Sequence, residues 1–427
     1  MKILIKKGRV IDPKSGLDEI MDVYVNGGIV EKLEKNIRER GDEAEVIDAS
    51  SLIVAPGLID VHVHLREPGF EWKESIKTGT AAAVKGGFTT VVCMANTDPV
   101  NDNKSVTEYI VKKAKHEGSC RVFPCGAITK GLKGEELAEI GEMYEAGIVA
   151  VSDDGKSVRN AGLLRRAMEY TKLFDIPVLA HCEDEDLSNG FVNESGSSVI
   201  SGLDAVPSIA EEIIVKRDMA LAEYVWSSLH LTHMSAKGSI DAIRQTKKGY
   251  RKITCDTCPH YFTLTDAATL AFDTNAKVNP PLRTREDVEA IKEGLKDGTI
   301  DIIATDHAPH ELTSKDVEFN IAASGISGLE TALGLSLTLV NEGVLDMAGL
   351  LRKFTENPAT ALKLPYGELS LGGPADITIF DPDAEWTVDK TGFVSKGKNT
   401  PFHGWKLRGK NRVTIVDGKI LYRDKGL

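Results

Sequence analysis

At 427 residues, 41% hydrophobic and 27% charged, the chain has the make-up of a soluble globular protein large enough for a barrel plus an accessory module. Its 64 acidic against 52 basic residues leave a net charge of −12, which argues against a nucleic-acid-binding surface. The opening Met1-Lys2-Ile3-Leu4-Ile5-Lys6-Lys7 turns polar too soon for a signal peptide, no stretch reads as a membrane span, and six scattered cysteines lack the spacing of a disulfide framework, so a reduced, cytoplasmic protein is expected.

Residues 1 to 56 read as short strands joined by tight turns: Lys2 to Ile5, Gly8 to Ile11, Ile20 to Asn26, Gly28 to Leu33 and Ala44 to Asp48. A matching pattern returns near the other end, where Ala375 to Asp381 is strand-like and Arg412 to Asp417 with Lys419 to Tyr422 make a hairpin around Gly418. Neither piece can bury a core alone. We therefore expect residues 1–56 and 366–427 to combine into one small β-sandwich.

From residue 57 to 365 apolar runs alternate with helical stretches, the pattern of βα units on a parallel sheet. Eight runs stand out: Leu58 to His64, Thr89 to Met94, Cys120 to Cys125, Ile148 to Ser152, Ile176 to Ala180, Leu229 to His233, Lys252 to Cys258 and Ile300 to Thr305. Helices are expected over Trp72 to Lys85, Ser105 to His116, Gly134 to Tyr144, Leu163 to Phe174, Ser208 to Trp226, Ser239 to Lys247 and Arg285 to Leu295. Eight units in about 250 residues suit an α/β fold of the (β/α)8 TIM-barrel type. A doubly wound open sheet is the alternative, but no G-x-G-x-x-G follows the first run, and Gly86-Gly87 closes a helix instead.

Polar residues gather where the runs end. His62 and His64, Asn96, Asp153 and Asp154, His181, His233, His260, and Asp306 with His307 all fall at C-terminal edges, where barrel active sites are built. His310 follows closely, leaving only His116, His230 and His403 elsewhere. In Asp60-Val-His-Val-His-Leu-Arg66 the two-residue strand period puts Asp60, His62, His64 and Arg66 on one face. Histidines and carboxylates on separate strand ends suit one or two divalent ions, zinc first and manganese or cobalt as substitutes. Adjacent Asp153 and Asp154 cannot both point inward, so one is a ligand and the other holds the loop. Cys255-Asp256-Thr257-Cys258 has no second pair and is read as structural.

Together, Asp60 to Gly69, Thr89 to Thr97, Val151 to Gly155, His181-Cys-Glu-Asp184, Lys277 to Arg283, Thr305-Asp-His-Ala-Pro-His310 and Gly328-Leu-Glu-Thr331 resemble the long-chain (class I) bacterial dihydroorotases of the amidohydrolase superfamily. The likeness extends to Gly372-Gly373-Pro374-Ala375-Asp376, nearly the whole chain. It implies that His62, His64 and Asp306 hold one metal position, His181 and His233 a second, and Asp154 a bridge, with Asp153 in reserve. It further implies that Arg66, Asn96 and His310 receive the substrate's carboxylate, that Asn279 contacts its ring, and that a mobile stretch from His310 to Gly325 covers the site. Three segments depart from the family's pattern: Met94-Ala95-Asn96-Thr97 for Met-Pro-Asn-Thr, Ala322-Ala323-Ser324-Gly325 for Ala-Pro-x-Gly, and Cys258-Pro259-His260-Tyr261 at the seventh run. None removes a ligand.

Opening or closing a cyclic amide needs a nucleophile, a polarised carbonyl and a proton for the leaving nitrogen. A zinc-bound water, with its pKa lowered to about 7, supplies the first, and Asp306 is the expected catalytic acid and base. Arg66 suits an anionic substrate. The resemblance implies reversible interconversion of N-carbamoyl-L-aspartate and L-dihydroorotate in pyrimidine biosynthesis, with a homodimer or a complex with aspartate carbamoyltransferase as assemblies. Two rivals stand beside it. Hydantoinase- or allantoinase-type amidases typically bridge their metals with a carboxylated lysine, whereas Lys156 lies too far past the fourth run. A non-catalytic dihydroorotase-like scaffold would have lost ligands that this chain keeps.

Overall fold

The computed structural model describes residues 1–38 and 44–425, so residues 39–43 and 426–427 of the expected terminal module lie outside it. Eight parallel strands run in sequence order: β1 (Leu58–Val63), β2 (Phe88–Cys93), β3 (Arg121–Gly126), β4 (Ala150–Val151), β5 (Val178–Ala180), β6 (Leu229–Leu231), β7 (Ile253–Thr257) and β8 (Ile302–Ile303). Helices alternate with them, beginning with α1 (Ile76–Gly86) and α2 (Lys104–Glu117), which makes this the expected (β/α)8 barrel. Helix α1 shows how local sequence sets the boundaries. Ser75 and Thr78 form a reciprocal capping box at its start, and Gly87, at φ 98°, ends it in the left-handed region that other residues resist. The helix expected from Gly134 begins only at Ile140, after an irregular turn at Lys130–Leu132.

The barrel interior is filled by Ile59, Val61, Val92, Met94, Cys125, Ala150, Leu179, Ile302 and Ala304, with Leu362 and Leu364 in the same cluster. It is a packed core and not a pore, so ligands can be received only at its mouth. All six cysteines are buried and free.

The barrel closes without a regular ladder between β8 and β1. Val63 and His307 form one parallel bridge, and His64 N donates to His307 O at 2.9 Å. Asp60 completes the seam: its Oδ1 accepts from Thr305 N at 3.1 Å and its Oδ2 from Thr305 Oγ1 at 2.5 Å. This corrects the strict period-two reading of the first run. A bulge between Asp60 and Val63 breaks the alternation, the strand ends at Val63, and Arg66 is carried onward by a turn in which its own φ is 61°. His62 and His64 share the site; Asp60 serves the seam.

The two ends of the chain join in one eight-stranded sheet with its own apolar core of Ile3, Ile5, Val10, Val23, Val25, Ile377, Ile379, Val413 and Ile415, among others. Its first strand, Lys2–Asp12, runs unbroken across two of the expected pieces. The first half pairs with Glu45–Asp48 and the second with Ile53–Pro56, so the sheet forks there. Arg121 at the start of β3 anchors the sheet to the barrel through Asp376, at 2.8 Å, and Asp417. Among the described residues no helix is long and apolar enough to cross a membrane.

Candidate active site

A cavity of 460 Å³ opens at the C-terminal mouth of the barrel, lined by His64, Arg66, Asn96, Asp154, His181, Glu183, His233, Asn279, Asp306 and His310, among others. Nine of the ten residues to which the resemblance gives a metal or substrate role border it; the tenth, His62, is fully buried, with its ring 5.2 Å from that of His64 and 5.3 Å from that of His233.

His64 turns Nε2 to Asp306 Oδ1 at 3.0 Å, because its Nδ1 is engaged by Asn96 Oδ1 at 2.9 Å. His62 Nε2 lies 3.5 Å from the same Asp306 oxygen and 3.3 Å from Asp154 Oδ1. Asp154 Oδ1 is also 3.6 Å from His233 Nε2 and 3.7 Å from His181 Nδ1. Asp153 points away: its Oδ1 accepts from Ile128 N at 2.8 Å and Thr129 N at 2.9 Å, which holds the loop after β3.

Burial would raise the carboxyl groups of Asp154 and Asp306, yet the surrounding imidazoles outweigh it and hold both below the usual carboxylate range. Burial would likewise lower His62 and His181, but Asp154 beside them pushes each up to about 10. Within this knot His62 Nδ1 and Nε2, His233 Nδ1 and Asp154 Oδ1 are buried with no hydrogen-bond partner. Buried imidazole nitrogens and a carboxylate oxygen left without partners beside one another fit the donor set of a divalent metal. Among the described residues two sets of ligand atoms each lie within 4.8 Å of one another, His62 with His64 and Asp306, and His62 with Asp154 and His233, so His62 is common to both. His181 lies beside the second set, with Nδ1 3.0 Å from His233 Nε2.

Three site residues, Arg66, His233 and Asp306, adopt positive φ of 61°, 43° and 45°. Such conformations persist only where the surroundings enforce them. For His233 the enforcing group is Asp256, whose Oδ1 accepts its backbone N–H at 2.7 Å while Oδ2 faces His230 Nε2 at 2.8 Å.

On the other side Arg66 is half-buried, its Nε enclosed and unpartnered and its Nη2 3.4 Å from His310 Nε2. Burial and the Arg66 charge push His310 down to about 2, which leaves that imidazole neutral at pH 7. The stretch after His310 is held by hydrogen bonds: Lys315 Nζ donates to Ala323 O at 2.7 Å, and Lys277 Nζ to Asn320 O at 2.8 Å.

Two histidines counted at the strand edges do not line the cavity. His307 accepts from Gly328 N at 3.2 Å and faces Glu74, while burial pushes the enclosed His260 down to about 4. Conversely, the sequence reading leaves out Glu183. Its Oε2 takes His181 Nε2 and Asn279 Nδ2, both at 2.9 Å. Its place two residues after His181 was the available signal, and Asp256, inside the C-x-x-C segment, gave none.

A family profile described as dihydro-orotase-like matches residues 51–239. The dihydroorotase of Geotalea daltonii is 55% identical over 424 residues, covering 99% of this chain and 100% of that protein. That of Acetivibrio thermocellus is 54% identical over 428 residues, covering 100% of each. The chain belongs to the dihydroorotase family. Solved structures similar to this dihydroorotase-family chain include an L-hydantoinase (dihydropyrimidinase) from Arthrobacter aurescens, with a TM-score of 0.88 at 23% identity, covering 98% of this chain and 95% of that one. A dihydropyrimidinase from Brevibacillus agri aligns with a TM-score of 0.87 at 22% identity, covering 100% and 96%. At that identity the likeness speaks for the fold alone. In this dihydroorotase-family member Lys156 is exposed beyond β4, and Asp154 stands among the histidines.

Proposed function

We propose that the protein catalyses the reversible interconversion of N-carbamoyl-L-aspartate and L-dihydroorotate, a cyclic amide hydrolysis of pyrimidine biosynthesis. The observation that carries the substrate class is Arg66: a half-buried guanidinium at the cavity wall, with its enclosed Nε unpartnered, calls for an anion. Family membership narrows that anion to the carboxylate of dihydroorotate.

In this reading His62, His64 and Asp306 would hold one divalent ion and His181 and His233 a second, with Asp154 as a further carboxylate ligand; zinc would suit the nitrogen and oxygen donors. When bound, such an ion supplies Lewis-acid polarisation of the amide carbonyl and makes a water acidic enough to attack it at neutral pH. Asp306 would accept a proton as water adds to the amide carbonyl and return it to the ring nitrogen as the C–N bond breaks. The reverse sequence closes the ring with loss of water. Arg66 receives the carboxylate bidentately, and neutral His310 lets its charge act undivided. Asn96, with Oδ1 committed to His64, offers its amide nitrogen, while Asn279, with Nδ2 committed to Glu183, offers its carbonyl oxygen to the ring. Glu183 orients His181 and raises its basicity as a ligand.

Residues 57–365 form the catalytic unit in this account, and 1–56 with 366–427 the accessory module. Composition favours a cytoplasmic location, and the resemblance favours a homodimer or a complex with aspartate carbamoyltransferase; size-exclusion chromatography with and without that enzyme tests both assemblies. The decisive assay compares dihydroorotate, N-carbamoyl-aspartate, hydantoin and allantoin as substrates of the zinc-loaded protein. Turnover of hydantoin without turnover of dihydroorotate would overturn the reading. A protein that binds no metal and stays inactive with added zinc would favour the scaffold.

A further inference from the structure

The last long hairpin of the terminal sheet is interrupted. Thr387 and Lys406 are paired, and the residues between them leave the sheet and reach the loops at the barrel mouth. Ser395 Oγ donates to Glu74 Oε2 at 2.5 Å and Lys396 Nζ to Glu71 O at 2.6 Å, both in the segment between β1 and α1. Gly397 passes so close to Pro309 that a Cβ there would lie 2.5 Å from the proline Cβ, leaving no room for a side chain.

Asn399 follows, only 3% exposed. Its Oδ1 accepts from His310 N at 2.9 Å and from Ser327 Oγ at 2.9 Å. Its Nδ2 donates to Ala308 O at 2.9 Å and Gly325 O at 2.9 Å. An amide side chain has two donor hydrogens and two acceptor sites, so every one is engaged. All four bonds go to two loops, the one ending in His310 and the one carrying Ser324 and Gly325. His310 Nε2 donates to Ser324 O at 2.9 Å and closes the link on the cavity side.

We infer that Asn399 is a positioning residue for substrate binding: reaching in from the terminal sheet, it sets the spacing of these two loops and, through His310, the geometry in which Arg66 receives the substrate's carboxylate. The inference rests on the dihydroorotate reading above. The metal-facing residues are held independently, His233 by Asp256 and the β8 end by Asp60. Loss of Asn399 therefore acts on substrate capture and spares the metal centre.

The test uses the zinc-loaded full chain. Asn399→Asp keeps size and both acceptors but sets an oxygen against Ala308 O and Gly325 O, and Asn399→Ala removes all four bonds. Both are expected to raise KM for dihydroorotate by about tenfold or more, as a misplaced binding wall should. We expect kcat to change far less and metal content to match the wild type. A wild-type KM in variants that merely unfold at lower temperature, or a loss confined to kcat, overturns the inference and leaves the functional reading intact. A wild type inactive on dihydroorotate overturns that reading, and this one with it. Should both variants fail to fold, Ser327→Ala, which removes the hydroxyl shared between Asn399 Oδ1 and Gly397 O of the same excursion, carries the test: a smaller rise in KM is expected, and an unchanged KM overturns the inference.

Discussion

One wall of the cavity, bearing His62, His64, Asp154, His181, His233 and Asp306, is made of barrel strand ends, whereas the facing wall, with Arg66, Asn279, His310 and Ser324, is made of turns and loops. The first is braced by partners on adjoining strands, Asp256 for His233 and Asp60 for Thr305. The second is braced by Asn399, 89 residues from His310 in the chain and on an excursion from the terminal sheet. The groups proposed to share an ion sit on barrel strand ends, and those proposed to receive the substrate sit on loops that a second element can tune.

This division is open to tests, taken from the largest expected effect downward. Stripping metal with a chelator should reduce activity to background and lower the unfolding midpoint by several degrees, and added zinc should restore both, because the ion bound to the native state stabilises it. Differential scanning fluorimetry beside the activity assay reads this out; an unaffected apo-protein would remove the metal from the strand-end wall. Asp306→Asn should cost on the order of 10³-fold in kcat with the fold retained by circular dichroism. Appreciable activity with metal bound would show that the proton transfer lies elsewhere.

Next comes the adjacent pair that the sequence could not separate. Asp154→Asn should weaken metal binding by about 10- to 100-fold in a chelator competition. Asp153→Asn should leave metal content unchanged and cost about 1–3 kcal/mol in denaturant unfolding, since its carboxylate holds the backbone of Ile128 and Thr129. The reverse pattern would exchange their roles. The smallest effect is expected on the loop wall: Arg66→Lys keeps the charge but not the planar fork, and should raise KM about tenfold with metal content unchanged. A change in metal content there would mean that the two walls are not independent.

Much of the strand-end wall is readable in the sequence, because it follows from period and punctuation: apolar runs mark the strands, and the first polar residues after them mark the mouth. His62, His64, Asp154, His181, His233 and Asp306 all emerge in that way or by family resemblance, and the structure brings them together. The same pattern misleads where a local irregularity intervenes. The bulge after Asp60 and the positive φ of Arg66 reassign those two residues to a seam and a turn, and His260 and His307 carry the right spacing but turn away from the cavity.

By itself, then, the sequence determined the fold class, the pairing of the two termini and the gathering of histidines and aspartates at the strand ends, since each depends on patterns repeated along the chain. Only the tertiary structure decided which of two adjacent aspartates faces the histidines, what closes the barrel between its first and last strands, and that an excursion from the terminal sheet braces the substrate wall. Those choices rest on hydrogen bonds between residues far apart in sequence, and no local period encodes them.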